Sequence, residues 1–317
     1  MRRADAPAIA QAAEVLRRGG LVVFPTETVY GLGARALSAA AARRIYRAKG
    51  RPSDNPLIVH VDGPEMLPLV ARRVTPLARR LMAAFWPGPL TLVLKRAPGV
   101  PDAVTAGKST VAVRCPAHPV ARALIAELGE PIAAPSANLS GRPSPTAAAH
   151  AARDLGGRVS LILDGGPCRE GLESTIVDAR GRRPVLLRPG TITPAQVARA
   201  AGVPIARPGR GAPAAPGTRH RHYAPSCRVE LVSPASVRGK WPATGKDSWL
   251  LHRSRAGSNA PARRRRVPGP IADYARALFS ALREAEAAGA ATLFVETVAD
   301  RGVGRAVMDR LRRAAAG

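Results

Sequence analysis

The chain is poor in aromatic rings: tryptophan, tyrosine and phenylalanine make up 3% of its 317 residues. An interior built without them must be filled by alanine and the aliphatics, which excludes an aromatic-rich sandwich and favours helices packed on aliphatic strands. Cysteine is equally scarce. Cys115, Cys168 and Cys227 are far apart and odd in number, which argues against a disulfide framework and a four-thiolate zinc site and fits a reducing cytoplasm. No apolar run approaches the roughly 20 residues that cross a bilayer, and the N-terminal MRRADAPAIAQAAEVL is interrupted by Asp5 and Glu14, so neither a membrane anchor nor a signal is expected. Carboxylates are few as well: 22 against 49 lysines and arginines leave a formal charge of +27. Such an excess attracts nucleotides and nucleic acid, and an arginine-rich genome composition produces it equally well. The run Arg263–Arg266 has no aromatics between its cations to stack bases and reads as a solvated loop.

What is present is enough apolar residue, 46%, for a real core and enough length for two of them. Apolar spacing predicts a helix over 9–18 that ends at Gly19 and Gly20, then a short strand over 21–24 stopped by Pro25. Ser38 is placed to cap a helix running to about Ala48. Further strands are expected over 57–61, 90–95, 110–114, 132–134, 159–163, 175–178 and 185–188. Strands that alternate irregularly with helices point to an α/β fold with a mixed sheet. The first domain is expected over 1–206, followed by a linker over 207–226 whose proline, glycine and arginine cannot bury apolar area. A smaller α/β, Rossmann-like domain over 227–317 is expected to hold a strand near Val229, a helix over 271–288, a strand over 292–296 and a closing helix over 303–315.

Several familiar signatures fail on inspection. Gly107, Lys108, Ser109 and Thr110 end like a phosphate-binding P-loop, but Asp102 stands where its first glycine belongs. Gly31, Gly33 and Ala36 lack the tight strand-to-glycine turn of a dinucleotide site. His220 and His222 have no carboxylate or thiolate at ligand spacing. Five polar segments remain, each at the end of a strand or helix. In FPTETVYGLGA, an extended backbone would turn the hydroxyls of Thr26 and Thr28 the same way. In KGRPSDNPL, Lys49 and Arg51 would share a face if extended, a pairing suited to a polyphosphate, although a basic helix end complementing its dipole accounts for it equally. PIAAPSANLSGRPSPT presents Ser136, Asn138, Ser140 and Ser144, an anion-binding nest or a surface loop. GLESTIVD opens a strand with Ser174 and Thr175, and LRPG closes one with Arg188.

Taken in order, PTETVYGLGA, KGRPSDNPL, FWPGPLTLVL, STVAVRCPAHP, PSANLSGRPSPT, ESTIVD and LRPG resemble the YrdC-type threonylcarbamoyl-AMP synthases, and APGTRHRHYAP with GVGRAVMDRLRRAA resembles the longer, two-domain form of that family. The resemblance implies a twisted mixed sheet around a deep basic cavity that binds ATP beside L-threonine. It implies a catalytic cluster of Lys49, Arg51, Ser136 and Asn138. Asn55, Thr110, Ser144, Arg188 and Tyr223 would join Arg51 and Ser136 on the ATP side, while Thr28, His60, Arg114, Ala134 and Ser174 would hold threonine. A guanidinium such as Arg114 can clamp an amino-acid carboxylate through paired hydrogen bonds. The implied reaction joins threonine, bicarbonate and ATP, with Mg2+ on the phosphates and no protein-held metal, and releases pyrophosphate. Orientation and charge neutralisation suffice, without a covalent nucleophile. His222 and Tyr223 would cover the cavity. The product would pass to a threonylcarbamoyl-transferase acting on tRNA, and any association with tRNA or double-stranded RNA would be weak or indirect. Two other readings stay open: an RNA-binding or ribosome-maturation factor without enzymatic activity, and a carbamoyl transferase that uses a preformed donor.

Overall fold

In the computed structural model of the chain, residues 1–209, 213, 222–241 and 245–316 are described. Eleven strands form the first sheet: β1 (Arg2–Arg3), β2 (Val22–Phe24), β3 (Gly31–Arg35), β4 (Ile58–His60), β5 (Ala71–Arg72), β6 (Leu90–Arg96), β7 (Thr110–Arg114), β8 (Ile132–Ala134), β9 (Leu161–Asp164), β10 (Thr175–Asp178) and β11 (Val185–Arg188). Their order is β1-β9-β2-β3-β8-β4-β7-β6-β10-β11, with β5 paired to β6. The pairs β1–β9, β2–β9, β4–β7 and β6–β10 are parallel, and β2–β3, β3–β8, β4–β8, β6–β7 and β10–β11 antiparallel, so the sheet is mixed. Successive side chains point to opposite faces. Val22, Phe24, Ile132 and Ala134 therefore meet the helices Ala6–Arg17 and Pro119–Leu128, while Val23 and Ala133 join the larger core on the other face with helix Ala39–Lys49.

Local chemistry sets the element ends. Asp5 accepts the amide of Ala8 at 3.0 Å and starts the first helix at Ala6, three residues ahead of the apolar periodicity. Ser38 accepts the amide of Ala41 at 3.2 Å, as its position before the second helix predicts, and Gly50 closes that helix in the left-handed region with φ +61°. Strand β3 was not legible as a strand, because its sequence GLGAR looks like a turn. The glycines serve close packing instead: a Cβ on Gly33 would lie 2.9 Å from the Phe24 ring and 3.0 Å from Ile132.

The second sheet holds β12 (Arg228–Val232), β13 (Ser248–His252), β14 (Arg263–Arg266) and β15 (Thr292–Glu296), all parallel, in the order β12-β15-β13-β14. Helices Ile271–Ala287 and Gly304–Ala315 cover it with a second core. The expectation of a solvated loop at Arg263–Arg266 is corrected here. The backbone needs hydrogen-bond partners that β13 supplies, and the exposed cationic side chains of this edge discourage further strand pairing. Strand β13 and the short helix Pro234–Arg238 lie in the arginine-rich stretch between Val232 and Pro268, for which the sequence suggests no elements.

The two sheets are joined by buried charge. Arg283, on helix Ile271–Ala287, donates to Asp154 at 2.7 and 3.2 Å, with both side chains almost fully buried. Arg142 bridges the same carboxylate and Glu286. Gly171 (φ +73°) abuts helix Ile271–Ala287, and a Cβ there would lie 2.4 Å from the Arg276 backbone. Among the described residues, no helix is long and apolar enough to cross a membrane.

Candidate active site

The ends of β4, β7, β8 and β11 and the turns before β3 and β10 surround one cavity. It is lined by Arg51, Arg114, Arg188, Glu173, His60 and His222, together with Thr26, Thr28, Ala134, Ser136, Ser174 and Tyr223. Nine residues expected at the site from sequence meet here: Thr28, Arg51, His60, Arg114, Ala134, Ser136, Ser174, Arg188 and Tyr223. The cavity is small, about 50 Å3.

Most of the buried polar groups are fixed by specific partners. Thr26 and Thr28 are not extended as supposed: Thr26 Oγ1 donates to the Val29 carbonyl at 2.6 Å and closes a turn, which sets the two hydroxyls 2.8 Å apart. Arg114 donates through Nη1 to Thr28 Oγ1 at 2.9 Å and through Nε to the Gly88 carbonyl at 3.3 Å. Its Nη2 lies 2.7 Å from Glu27 Oε1, an ion pair that lacks hydrogen-bond alignment, and both side chains are about 4% exposed or less. Arg188 donates to the Ser174 carbonyl at 3.0 and 3.2 Å and to its hydroxyl at 3.2 Å. Arg51 donates to the carbonyls of Asn55 and Pro56 at 3.1 and 3.0 Å. Burial pulls Arg51 down to about 10, which leaves it charged at neutral pH.

Lys49 and Arg51 do not share a face. Lys49 is the last residue of its helix, and the left-handed Gly50 separates it from Arg51. Its Nζ donates to the Ser136 carbonyl at 2.5 Å and to that of Asn138, so it holds the PSAN loop from behind the cavity wall. Burial first, and then Arg51, hold the Lys49 amine well below its ordinary range. Asn138 is buried beside it: Oδ1 accepts the Ser136 hydroxyl at 2.5 Å, and Nδ2 donates to the carbonyls of Leu139 and Arg142 at 2.7 and 2.9 Å. Ser144 is turned onto Glu173, to which its hydroxyl donates. The Asn55 carbonyl receives Tyr46 as well as Arg51. Thr110 starts β7 and Arg114 ends it, which places Thr110 about 13 Å from the cavity end of the strand, beside Leu57, Thr105 and Lys108. Sequence reasoning passed over Glu27 and Glu173. A carboxylate inside a hydroxyl-rich segment was the available signal, since burial in a cleft makes such a group either paired or functional.

His60 and His222 face the cavity, each with an Nδ1 that has no hydrogen-bond partner among the described residues. Burial, and then Arg114, pushes His60 from its ordinary 6.5 to about 3; burial, and then Arg51 and Lys49, does the same to His222. Both are therefore neutral when folded at pH 7. Below pH 6.5 the unfolded chain takes up protons that the folded chain refuses, so stability is complete above 6.5 and is lost as pH falls towards 3. Each histidine contributes up to about 1.4 kcal/mol per pH unit in that window. Thermal unfolding followed from about pH 7 to 4.5 should show a shallower loss for His60→Gln than for the wild type. Parallel curves would mean that His60 protonates in the folded protein.

Residues 14–190 match the Sua5/YciO/YrdC family, described as telomere recombination, and residues 192–316 match the threonylcarbamoyl-AMP synthase C-terminal domain. A threonylcarbamoyl-AMP synthase of Pyrococcus abyssi is 44% identical over 317 residues, spanning 96% of this chain and 92% of that protein. The chain belongs to the threonylcarbamoyl-AMP synthase family. Another member of the family, from Bacillus subtilis, is 44% identical over 98% of this chain and 94% of its own. The family fold extends to three dimensions. The crystal structure of P. abyssi Sua5 complexed with L-threonine superposes with a TM-score of 0.87 at 42% identity, over 97% of this chain and 94% of that one.

Proposed function

We propose that the cavity beneath His222 and Tyr223 is where this threonylcarbamoyl-AMP synthase joins L-threonine, bicarbonate and ATP, releasing pyrophosphate and an activated group later attached to an adenosine of tRNA next to the anticodon. The observation that carries the reading is the convergence of Arg51, Arg114 and Arg188 with Thr28, Ser136 and Ser174 on one cavity, from segments distant along the chain. Three guanidiniums against one lining carboxylate make a basic pocket suited to a nucleotide and an amino acid.

Arg114 has an Nη2 without an aligned partner and takes the threonine carboxylate, with Thr28 beside it. Neutral His60 offers Nδ1 to the threonine hydroxyl or amine. The amine and bicarbonate give a carbamate and water, and a carbamate oxygen then attacks the α-phosphorus and expels pyrophosphate. Arg51, Arg188 and Ser136 stabilise the charge on the phosphates, which burial strengthens by excluding water. Lys49 and Asn138 hold the Ser136 loop in place, while Asn55, Ser144 and Thr110 complete the ATP side at its margins. The donor set suits an Mg2+ carried by the phosphates, because Glu173, the lining carboxylate, is already engaged by Arg310 and Ser144. Bound there, Mg2+ would neutralise phosphate charge.

The separate sheets, each with its own cores, support dividing the chain into a catalytic domain over 1–206, a linker over 207–226 and a C-terminal domain over 227–317, whose parallel sheet supports a Rossmann-like reading. His220 and most of the linker lie outside the described residues. His222 and Tyr223, at its end, form the cover. Three free, buried cysteines and the enzyme's place in tRNA modification favour a cytoplasmic location. The formal charge of +27 supports weak or indirect contact with tRNA or double-stranded RNA before the product reaches its transferase. Purified protein given ATP and Mg2+ should release pyrophosphate only when threonine and bicarbonate are both added. Release without either one would overturn the reaction, and turnover of a preformed carbamoyl donor in place of bicarbonate would point to a carbamoyl transferase.

A further inference from the structure

Glu173 is out of place in a pocket for anions. It lines the cavity at 7% exposure, where its charge opposes that of ATP phosphates and of a threonine carboxylate. Its partner comes from the other end of the chain. Arg310, on helix Gly304–Ala315, is fully buried and places Nε 3.0 Å from Glu173 Oε2. Ser144 donates to the other oxygen, Oε1. Burial alone would raise the Glu173 carboxyl, and Arg310, followed by Arg188, more than reverses this and holds it ionised. The same guanidinium lies 5.4 Å from the centre of the Tyr223 ring. Tyr223 in turn packs on Phe279 of helix Ile271–Ala287 at 5.2 Å and adopts φ +69°, a left-handed conformation unusual for tyrosine. One buried cation from the C-terminal domain thus meets both the acidic wall of the cavity and its cover.

We propose that Arg310 is a positioning residue for the reaction: the C-terminal domain lends its charge to the catalytic cavity, cancelling Glu173 and seating Tyr223 so that ATP can bind. This gives the second domain a role in substrate binding that requires no substrate contact of its own. Its other buried contacts, such as Arg283 on Asp154, fix the docking geometry that lets Arg310 reach across. The inference rests on the cavity being the ATP site proposed above.

The test measures ATP binding by calorimetry, in full-length protein, for wild type, Arg310→Met and Arg310→Met combined with Glu173→Gln. Wild type that fails to bind ATP removes the proposed site itself, whatever the variants do. With binding established, Arg310→Met should weaken ATP at least roughly tenfold, about 1.4 kcal/mol. The double variant removes the carboxylate that lines the cavity, while Asp309, which Arg310 also meets at 2.6 Å, keeps Arg313 as a partner, so ATP affinity should return to within about threefold of wild type. A folded Arg310→Met protein that binds ATP like wild type overturns the proposal, as does a double variant no better than the single one. Should Arg310→Met fail to fold, the double variant carries the test alone. If that too fails to fold, or binds ATP tenfold or more weakly, Arg310 serves packing and not charge, and the proposal falls.

Discussion

Asp154→Ala should destabilise the protein by about 3–5 kcal/mol, the usual cost of leaving one member of a buried ion pair without its partner. Asp154 accepts from Arg283 at 2.7 and 3.2 Å, from Arg142 at 3.1 Å and from the Leu139 amide at 3.3 Å, and its side chain is fully buried. Alanine leaves the Arg283 guanidinium, 1% exposed, with the Pro143 carbonyl as its remaining acceptor among the described residues. The unfolding midpoint should fall by on the order of 10 °C. Because this carboxylate lies between the two cores, unfolding should also split into two transitions, visible by calorimetry. Adding Arg283→Met should recover part of the loss, since the double variant buries no lone charge. A midpoint within a degree or two of wild type would show that water or another group reaches Arg283 once the carboxylate is gone.

Lys49→Met should reduce pyrophosphate release at least tenfold, or about 1.4 kcal/mol of transition-state stabilisation, although the lysine does not line the cavity. Its Nζ donates to the carbonyls of Ser136 and Asn138. Methionine keeps the stem and removes the donor, so the buried Asn138 carbonyl loses a partner at about 1–3 kcal/mol, and the part-buried Ser136 carbonyl loses one at less. The Ser136 loop, which forms part of the cavity wall, then relaxes. Lower kcat together with a lower unfolding midpoint is the expected signature. Unchanged stability with lost activity would instead indicate that the lysine swings into the cavity and meets the phosphates directly.

The difference between these two residues shows how far a single sequence can be read. Lys49 was legible as part of a motif, because a lysine and an arginine around a glycine at a helix end are a local pattern. Its task was not, because the left-handed turn at Gly50 points the two cations in different directions. Asp154 and Arg283 gave no local signal at all; they are separated by 129 residues and meet through domain docking. Strand ends over 110–114, 132–134, 175–178 and 185–188 were readable because aliphatic runs bounded by turn residues need little context. Gly31–Arg35 is absent from the expected strands, since its glycines pack against the Phe24 ring, a contact that only the folded chain makes.

By itself the sequence determined the class of fold, most of the apolar strands and helices, and the polar segments that carry the chemistry, since periodicity and capping act over a few residues. The tertiary structure decided which of those polar groups face one another. It turned Lys49, Asn138 and Ser144 into supports, brought Glu27 against Arg114 and carried Arg310 from the last helix to Glu173. These are long-range pairings of buried charges, and their strength depends on exclusion of water, a property that no stretch of chain possesses until the whole has folded around it.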